Sequence, residues 1–381
     1  MDFKLSDDQM IIQETVREFA QKEIAPVIRD YDARGAFPEE IIRKLGGLGF
    51  LGIVFPQEYG GAGLDYVTYC LIVEELAKAD GSVALTVAAH NSLCTGHIYQ
   101  AGNTVQKARY LPPLTRGERL GAWGLTEAGS GSDAAGMRTT ATRDGEEFVL
   151  RGSKAFITNG SVAGTYVIMA VTDKTRGANG ISAFIVERGT PGFRVGGTYD
   201  KLGVRASDTA ELILEDACVP AGNLLGTLHG GFKDTLRVLD GGRIGVAAMA
   251  VGLAQGALDL ALKYARERTA FGQPIAHFQG LQGMLADLAV EVEAARLLTW
   301  QAAYRLQKGE TVTKESAMAK LFASEAAMKV TTKAIQIHGG MGYLKELPVE
   351  RHFRDAKLCE IGEGTSEIQR LVIARQVLKG A

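Results

Sequence analysis

The sequence predicts an α+β multidomain fold in which an N-terminal α-helical domain precedes a central β-sandwich or barrel domain and a C-terminal α-helical bundle. The 381 residues exceed the length of one ordinary domain. Apolar residues recur at helical spacing up to about residue 118, form short strand-like runs until about residue 228, and then return to helical spacing. We therefore place the domains at residues 1–118, 119–228 and 229–381.

The composition excludes several classes of protein. Hydrophobic residues make up 46% of the chain and charged residues 23%, which is typical of a folded globular protein. The 42 Lys and Arg against 44 Asp and Glu give a net charge of −2, so no global cationic field is available to bind nucleic acid. The four cysteines form no CxxC pair and no Cys/His cluster, which indicates a reduced compartment and no structural metal.

The distribution of apolar residues predicts a protein of the cytoplasm. The first residues are acidic and lack an apolar stretch, so we expect neither a secretory signal nor a transit peptide. The longest apolar run, residues 244–254, is about half as long as a membrane span. We therefore expect no association with a membrane.

The N-terminal domain is predicted to be helical throughout. Ser6 and Gln9 form a capping-box pattern, and Ile12, Val16 and Phe19 follow at helical spacing. Further helices are expected at about residues 38–48, 65–79, 82–100 and 103–116. Residues 47–52 match G-x-G-x-x-G, but we interpret them as a glycine-rich helix exit because a helix, not a strand, precedes them.

The central domain is predicted to contain strands at residues 139–143, 147–151, 166–171, 182–187 and 210–214, with Asp144 and Gly145 as a hairpin turn. Their spacing favours a sandwich or barrel over βαβ units. Residues 125–133 form a glycine-rich loop whose backbone N–H groups suit a polar ring or a phosphate-bearing ligand. Residues 154–160 place an aromatic ring and a hydroxyl at a strand end. Each segment is equally compatible with an ordinary loop or hairpin.

The C-terminal domain is predicted to consist of long helices. One apolar stripe runs through Leu285, Leu288, Val292, Ala295, Leu298 and Ala302. An earlier helix is rich in Gly and Ala, which allows close helix packing or subunit contact. We expect residues 240–243 to open this helix and Arg266 and Arg268 to close it, where the arginines either bind an anion or are solvated.

Two glycine-containing turns lie near the C-terminus. Residues 336–342 end a helix in glycines that let a ligand approach the backbone, and His338 is expected to be structural. Glu363 lies between two glycines before a final helix that Ser366 and Gln369 are expected to cap. We expect Leu371, Val372 and Leu378 of this helix to face inward. Taken alone, Glu363 is compatible with an ordinary surface turn.

Six segments, in this order, resemble the acyl-CoA dehydrogenase family over essentially the whole chain. They are residues 125–133, 156–158, 240–243, 268 with 271–272, 336–340 and 363–370. Residues 239–245 and 365–374 are most similar to the short-chain (butyryl-CoA) branch. The resemblance implies a C-terminal four-helix bundle and a homotetramer with one FAD per subunit.

The resemblance also implies roles for individual residues. The cofactor-binding positions would be Leu125, Thr126, Glu127, Ser132, Phe156, Ile157, Thr158, Arg268, Phe271, Gln279, Gln336, Ile337, Gly339, Gly340, Thr365, Ser366 and Glu367. Of these, Arg268, Gln279 and the turn at residues 336–340 would hold the FAD of a neighbouring subunit. The substrate-binding positions would be Ser132, Asp240, Arg243 and Gly364.

By the same resemblance, Glu363 is the catalytic base. It would remove the α-proton of an acyl-CoA thioester while flavin N5 accepts the β-hydride, and electrons would pass to an electron-transferring flavoprotein. Some branches of the family carry the base at the position of Gly242, which has no carboxylate here. Gly362 and Phe156 stand where many members have Tyr and Trp. Use of oxygen by an oxidase, or acyl-CoA binding without catalysis, are the alternative hypotheses.

Overall fold

The structure, a computed structural model, describes residues 4–379. Its N-terminal part is helical, with α1 Asp7–Phe19, α2 Ile28–Arg34, α3 Glu39–Gly47, α4 Tyr66–Ala79, α5 Gly81–Ala89, α6 Gly96–Ala101 and α7 Thr104–Thr115. The predicted capping box is confirmed, since Ser6 Oγ accepts from the backbone N–H of Gln9 and Gln9 Oε1 accepts from that of Ser6.

The single helix expected over residues 82–100 is wrong in detail. A π-helical segment, His90–Thr95, separates α5 from α6. The buried Asn91 side chain donates to the carbonyls of Phe50 and Val87 and accepts from the N–H of Ile53. An inserted side chain of this kind is a common cause of irregular helical turns, and the apolar periodicity carries no sign of it.

The central part forms a mixed β-sheet. Its strands are β1 Gly121–Gly124, β2 Thr140–Asp144, β3 Glu147–Thr158, β4 Thr165–Val171, β5 Ile181–Glu187, β6 Phe193–Thr198, β7 Thr209–Pro220 and β8 Leu224–Leu225. They are ordered β6-β7-β3-β2-β4-β5-β8, and β1 pairs in parallel with β4. The strands β1 and β6 were not predicted, because both are short and contain glycine.

Of the two predicted arrangements, the sandwich agrees with the structure and the barrel is wrong. The sheet formed by the described strands is open, since β6 and β8 are its two ends. Phe148 of β3 packs against Phe184 of β5 at 4.9 Å, and Tyr166 of β4 against Phe193 of β6 at 4.7 Å. These pairs join strands that are not hydrogen-bonded to each other, so the two halves of the sheet pack face to face.

The predicted hairpin lies between β2 and β3, shifted by one residue. Asp144 is the last residue of β2 and pairs with Glu147, so the turn residues are Gly145 and Glu146. Gly145 has φ 57°, which explains why a glycine follows Asp144.

The C-terminal part is again helical. It comprises α8 Gly231–Glu267, the short strands β9 Thr269–Ala270 and β10 Gln273–Pro274, then α9 Gln279–Gln307, α10 Thr313–His338, α11 Val349–Ile361 and α12 Ser366–Lys379. The helix α10 contacts α8, α9, α11 and α12 and lies at the centre of the bundle. The predicted stripe of α9 faces this core, because Leu288, Val292, Ala295 and Ala302 are buried and Leu285 and Leu298 pack against them.

The long helix α8 differs from the prediction at its start. It begins at Gly231, so Asp240 and Arg243 lie in its third and fourth turns instead of at its N-terminus. Its small residues allow close packing within the subunit: a Cβ on Gly252 would lie 2.3 Å from the Glu74 carbonyl oxygen of α4. Among the described helices, α8 alone is long and apolar enough to cross a membrane, but 83% of its apolar window is buried inside the protein.

The final helix also corrects the prediction. Thr365 is its cap, because Thr365 Oγ1 accepts from the N–H of Ile368 at 3.4 Å, whereas Ser366 is the first helical residue. Leu371 and Leu378 are 52% and 75% exposed and Val372 is half-buried, so the expectation that all three face inward is wrong. The buried residues of α12 are Ser366 and Gln369.

Candidate active site

Glu363 lies in a left-handed turn between α11 and α12. Its φ of 52° is unusual for a residue with a side chain, and Gly364 follows with φ 95°. The buried Gln369 amide fixes this turn by donating to the carbonyl oxygens of Glu363 (3.1 Å) and Gly364 (2.9 Å). The flanking helices therefore hold the glutamate backbone in a conformation that costs on the order of 1–3 kcal/mol.

The Glu363 carboxylate packs against the glycine face of α8. A Cβ on Gly242 would lie 1.8 Å from Glu363 Oε2, so this position must be glycine for the observed orientation. Oε2 is buried and has no hydrogen-bond partner among the described residues. A buried polar atom without a partner is uncommon in folded proteins and often marks a functional site.

Burial raises the pKa of Glu363 to about 7, although the nearby Arg243 and Lys320 act in the opposite direction. A carboxylate with such a pKa is much better suited to accept a proton near neutral pH than an ordinary glutamate. The phenol of Tyr69, on α4, also lies in the field of Glu363. The site can therefore perform general base catalysis.

Asp240 and Arg243 form a buried pair one helical turn apart. Arg243 Nη1 donates to Asp240 Oδ1 at 2.9 Å, and the Thr313 hydroxyl donates to Asp240 Oδ2 at 2.7 Å. Arg243 Nε is buried without a partner. Arg243 is therefore buried within α8 instead of solvated at a helix end, and it lies in the environment of Glu363.

The glycine-rich loop and the end of β3, which carry several of the predicted cofactor-binding residues, lie side by side. The N–H of Ala155 donates to the carbonyl of Thr126 at 2.9 Å, which joins the two segments. Phe156, with φ 59°, is 61% exposed, and its ring lies 4.8 Å from that of Tyr199. The remaining predicted residues lie along this edge, with Leu125 and Ile157 buried, Thr126 and Thr158 half-buried and Ser132 exposed.

The Glu127 side chain supports the loop from inside. Its carboxylate accepts from Lys154 Nζ at 2.8 Å and from the backbone N–H groups of Arg138 (2.7 Å) and Thr139 (2.9 Å). Lys154 is fully buried. The Glu127 side chain is therefore occupied by protein partners, and any contact with a cofactor falls to its backbone.

A third group of predicted residues lies at the C-terminal ends of α8 and α10 and at the N-terminal end of α9. Tyr264 and His338 stack at 4.5 Å and join the ends of α8 and α10. The group comprises Arg268, Phe271, Gln279, Gln336, Ile337, Gly339 and Gly340; Ile337 is buried and the others are exposed. His338 Nδ1 lies 2.7 Å from the Ala334 carbonyl oxygen, an intrahelical contact that fits its expected structural role. Within residues 4–379, no hydrogen bond or ion pair joins this group to Glu363.

The beginning of α12 adjoins the glutamate turn. Thr365 is half-buried, and Glu367 is exposed. Ser366 Oγ is buried and has no partner among residues 4–379. An unpaired hydroxyl at the N-terminus of a 14-residue helix suits an anionic or hydroxyl-bearing ligand.

Sequence reasoning missed Lys320 and Lys154. Lys320 is fully buried in α10, and its Nζ donates to the Gly364 carbonyl at 2.7 Å. Its position among Ala317, Ala319 and Ala323 on the apolar face of α10 was a usable signal, because lysine is rarely buried without a specific partner.

Comparison with known proteins identifies the family. The acyl-CoA dehydrogenase N-terminal, middle and C-terminal domain models match residues 6–118, 122–217 and 229–378. The probable acyl-CoA dehydrogenase YngJ of Bacillus subtilis (strain 168) is 53% identical over 380 residues, with 100% of both chains covered.

Solved structures agree with these matches. Butyryl-CoA dehydrogenase from Megasphaera elsdenii has a TM-score of 0.98 and 46% identity, covering 99% of this chain and 100% of that one. A chain solved in work on the electron transferring flavoprotein of Acidaminococcus fermentans and flavin-based electron bifurcation has a TM-score of 0.98 and 50% identity, with full coverage of both chains. The predicted resemblance is confirmed: the chain belongs to the acyl-CoA dehydrogenase family, a family of oxidoreductases that use FAD.

Proposed function

We propose that the chain catalyses FAD-dependent α,β-dehydrogenation of an acyl-CoA thioester to the trans-2-enoyl-CoA, with Glu363 as the base that removes the α-proton. The observation that carries this proposal is the buried, unpartnered Glu363 Oε2 on the face of Gly242. Burial raises the pKa of this carboxyl to about 7, and two cations nearby keep the ionised form accessible.

Residues of the glycine-rich loop, the end of β3 and the N-terminus of α12 fit FAD. The loop at residues 125–133 and the exposed ring of Phe156 offer an edge for a planar ring system, and glycines at 129 and 131 leave open space at their Cβ positions. The unpaired Ser366 Oγ at the α12 N-terminus offers a donor for the polar part of the cofactor. When bound, FAD supplies the hydride acceptor, at N5.

Other residues of the chain orient the thioester. We assign Ser132, Asp240 and Arg243 to the pantetheine side of the substrate, and Gly364 to the turn beside the reacting carbons. The backbone N–H of Glu363 would polarise the thioester carbonyl, an interaction typically worth about 2.7–4 kcal/mol of barrier per donor. Arg243 adds positive potential to the site. Because it is paired with Asp240, its burial does not carry the desolvation cost of an isolated charge.

The third group of residues supports assembly as a homotetramer. Arg268, Gln279 and the turn at 336–340 are separated from Glu363 along the bundle, yet Phe271 beside them is 96% exposed. An exposed aromatic ring next to an arginine that forms no ion pair within residues 4–379 fits a site completed by another subunit. We therefore assign this group to the FAD of a neighbouring copy.

We further propose that the enzyme acts in the cytoplasm, with domains bounded at residues 118/119 and 228/229, and passes its electrons to an electron-transferring flavoprotein. The similarity to butyryl-CoA dehydrogenase supports a short acyl group as substrate. The chain solved in work on an electron transferring flavoprotein supports the choice of acceptor.

Anaerobic addition of butyryl-CoA to the purified yellow protein tests this function. We expect bleaching of the flavin and formation of the enoyl-CoA, and reoxidation by an electron-transferring flavoprotein faster than by oxygen. An unchanged flavin spectrum with every acyl-CoA tested would refute dehydrogenation. Rapid oxygen uptake would identify an oxidase instead.

A further inference from the structure

Lys320 is a buried cation next to the glutamate turn. It lies in α10, its side chain is fully buried, and its Nζ donates to the Gly364 carbonyl oxygen at 2.7 Å. No ion pair formed by the described residues includes Lys320; the carboxylates that act on it, Glu363 and Glu360, do so from a distance. Burying an ammonium whose one hydrogen-bond partner among the described residues is a carbonyl lowers the stability of the fold. We therefore expect the role of Lys320 to lie in the turn whose carbonyl it contacts.

The carbonyl that Lys320 holds belongs to the left-handed turn. Glu363 and Gly364 have φ values of 52° and 95°, and Gly364 O accepts from both Lys320 of α10 and Gln369 of α12. These two buried donors fix the peptide immediately after the base. Without Lys320, one of the two supports of a strained backbone conformation is lost.

The charge of Lys320 also reaches the carboxylate. Around Glu363 the ionisable groups are Arg243 from α8, Lys320 from α10 and Tyr69 from α4. Arg243 acts more strongly on Glu363 than Lys320 does, but it is paired with Asp240 at 2.9 Å, whereas Lys320 has no ion-pair partner among the described residues. Lys320 in turn is influenced by Cys359 and Glu360 of α11 and acts on Glu367 of α12.

Building on the proposed role of Glu363 as base, we propose that Lys320 is a positioning residue for this reaction: it fixes the Glu363 turn through the Gly364 carbonyl and stabilises the ionised glutamate. Burial lowers the pKa of Lys320 to about 8, and the neighbouring Glu363 opposes this effect. Lys320 is therefore still largely protonated at neutral pH, where the base must be ionised.

The test compares Lys320→Met and Lys320→Arg with the parent holoenzyme, with Lys333→Met on the exposed face of the same helix as control. The readout is the pH dependence of kcat/KM with butyryl-CoA. In Lys320→Met the acid limb should move to higher pH by roughly one unit, because the ionised base loses a neighbouring cation. Below the limb this shift lowers kcat/KM about tenfold. Lys320→Arg should restore the limb, and Lys333→Met should leave it unchanged.

A purely structural role would lower flavin content or thermal stability of Lys320→Met while leaving the acid limb in place, and this result would overturn the proposal. If Lys320→Met does not fold, the reciprocal measurement replaces it. In Glu363→Gln, ¹⁵N NMR of labelled lysine should show Lys320 losing its proton at lower pH than in the parent, and an unchanged titration would refute the coupling.

These outcomes are separate from failure of the proposed function. If Glu363→Gln retains the parent's turnover, Glu363 is not the base. If Glu363→Gln loses turnover but Lys320→Met keeps the parent's pH profile, only the inference about Lys320 fails.

Discussion

The substitution Gly242→Ala tests the contact between α8 and the proposed base. The added Cβ would lie 1.8 Å from Glu363 Oε2, whereas ordinary contact begins at 3.4 Å, so the carboxylate must move by about 1.6 Å. A glutamate end group can move at little cost, and alanine favours a helix over glycine by about 0.5–1 kcal/mol, so we expect unchanged or slightly higher stability. Misplacing a reacting group by about 1 Å can cost about 10²-fold in rate.

We therefore expect Gly242→Ala to bind FAD normally, to unfold at or above the parent's temperature, and to lose about 10²-fold in kcat with butyryl-CoA. The control is Gly47→Ala, the same substitution at the end of α3, where a Cβ meets nothing within 4 Å. Steady-state kinetics at saturating substrate, with flavin content measured in parallel, decide the outcome. A Gly242→Ala enzyme as active as the parent would refute the placement of Glu363 against α8.

Three further predictions follow from the site. Burial raises the pKa of Glu363 from 4.5 to about 7, so the stability that the protonated carboxyl gives the fold is fully present below pH 4.5 and is lost as the pH rises towards 7. Glu363→Gln should therefore exceed the parent in unfolding free energy by up to about 2–3 kcal/mol between pH 5 and 8. Denaturant titrations that show the same pH dependence for variant and parent would argue against the raised pKa. Arg268→Ala should release FAD on dialysis more readily than Arg266→Ala, and equal cofactor retention would contradict the assignment of Arg268 to a neighbouring FAD. Glu127→Ala removes the carboxylate paired with the buried Lys154, leaves its ammonium with the Leu125 carbonyl, and should cost about 3–5 kcal/mol in flavin-free protein. Glu127→Gln/Lys154→Met should recover part of this loss, and a thermal midpoint unchanged by Glu127→Ala would contradict the prediction.

Local patterns in the sequence predicted the helices and strands well where one physical signal dominated. The capping box of Ser6 and Gln9 and the apolar stripe of α9 are examples, because hydrogen bonding at a helix start and burial of one face are local effects. The π-helical segment at His90–Thr95 and the short strand β1 were missed. Both depend on partners distant in the chain, Phe50 for Asn91 and β4 for β1.

The site was predicted unevenly for the same reason. Glu363 and its glycines came from the family resemblance, and the structure adds what surrounds them. The contact with Gly242 joins α8 to a turn 121 positions later in the sequence, and Lys320 reaches that turn from a third helix. The exposed Leu371 and Leu378 were expected inside because helical spacing identifies an apolar face but not the surface it contacts.

The most direct test of the central claim is a single turnover followed by anaerobic stopped-flow. FAD-loaded Glu363→Gln and the parent are mixed with excess butyryl-CoA, and the visible absorbance of the bound flavin is recorded. If Glu363 removes the α-proton, the variant should bind the thioester but reduce its flavin at least about 10²-fold more slowly. Flavin reduction at the parent's rate would show that another group is the base.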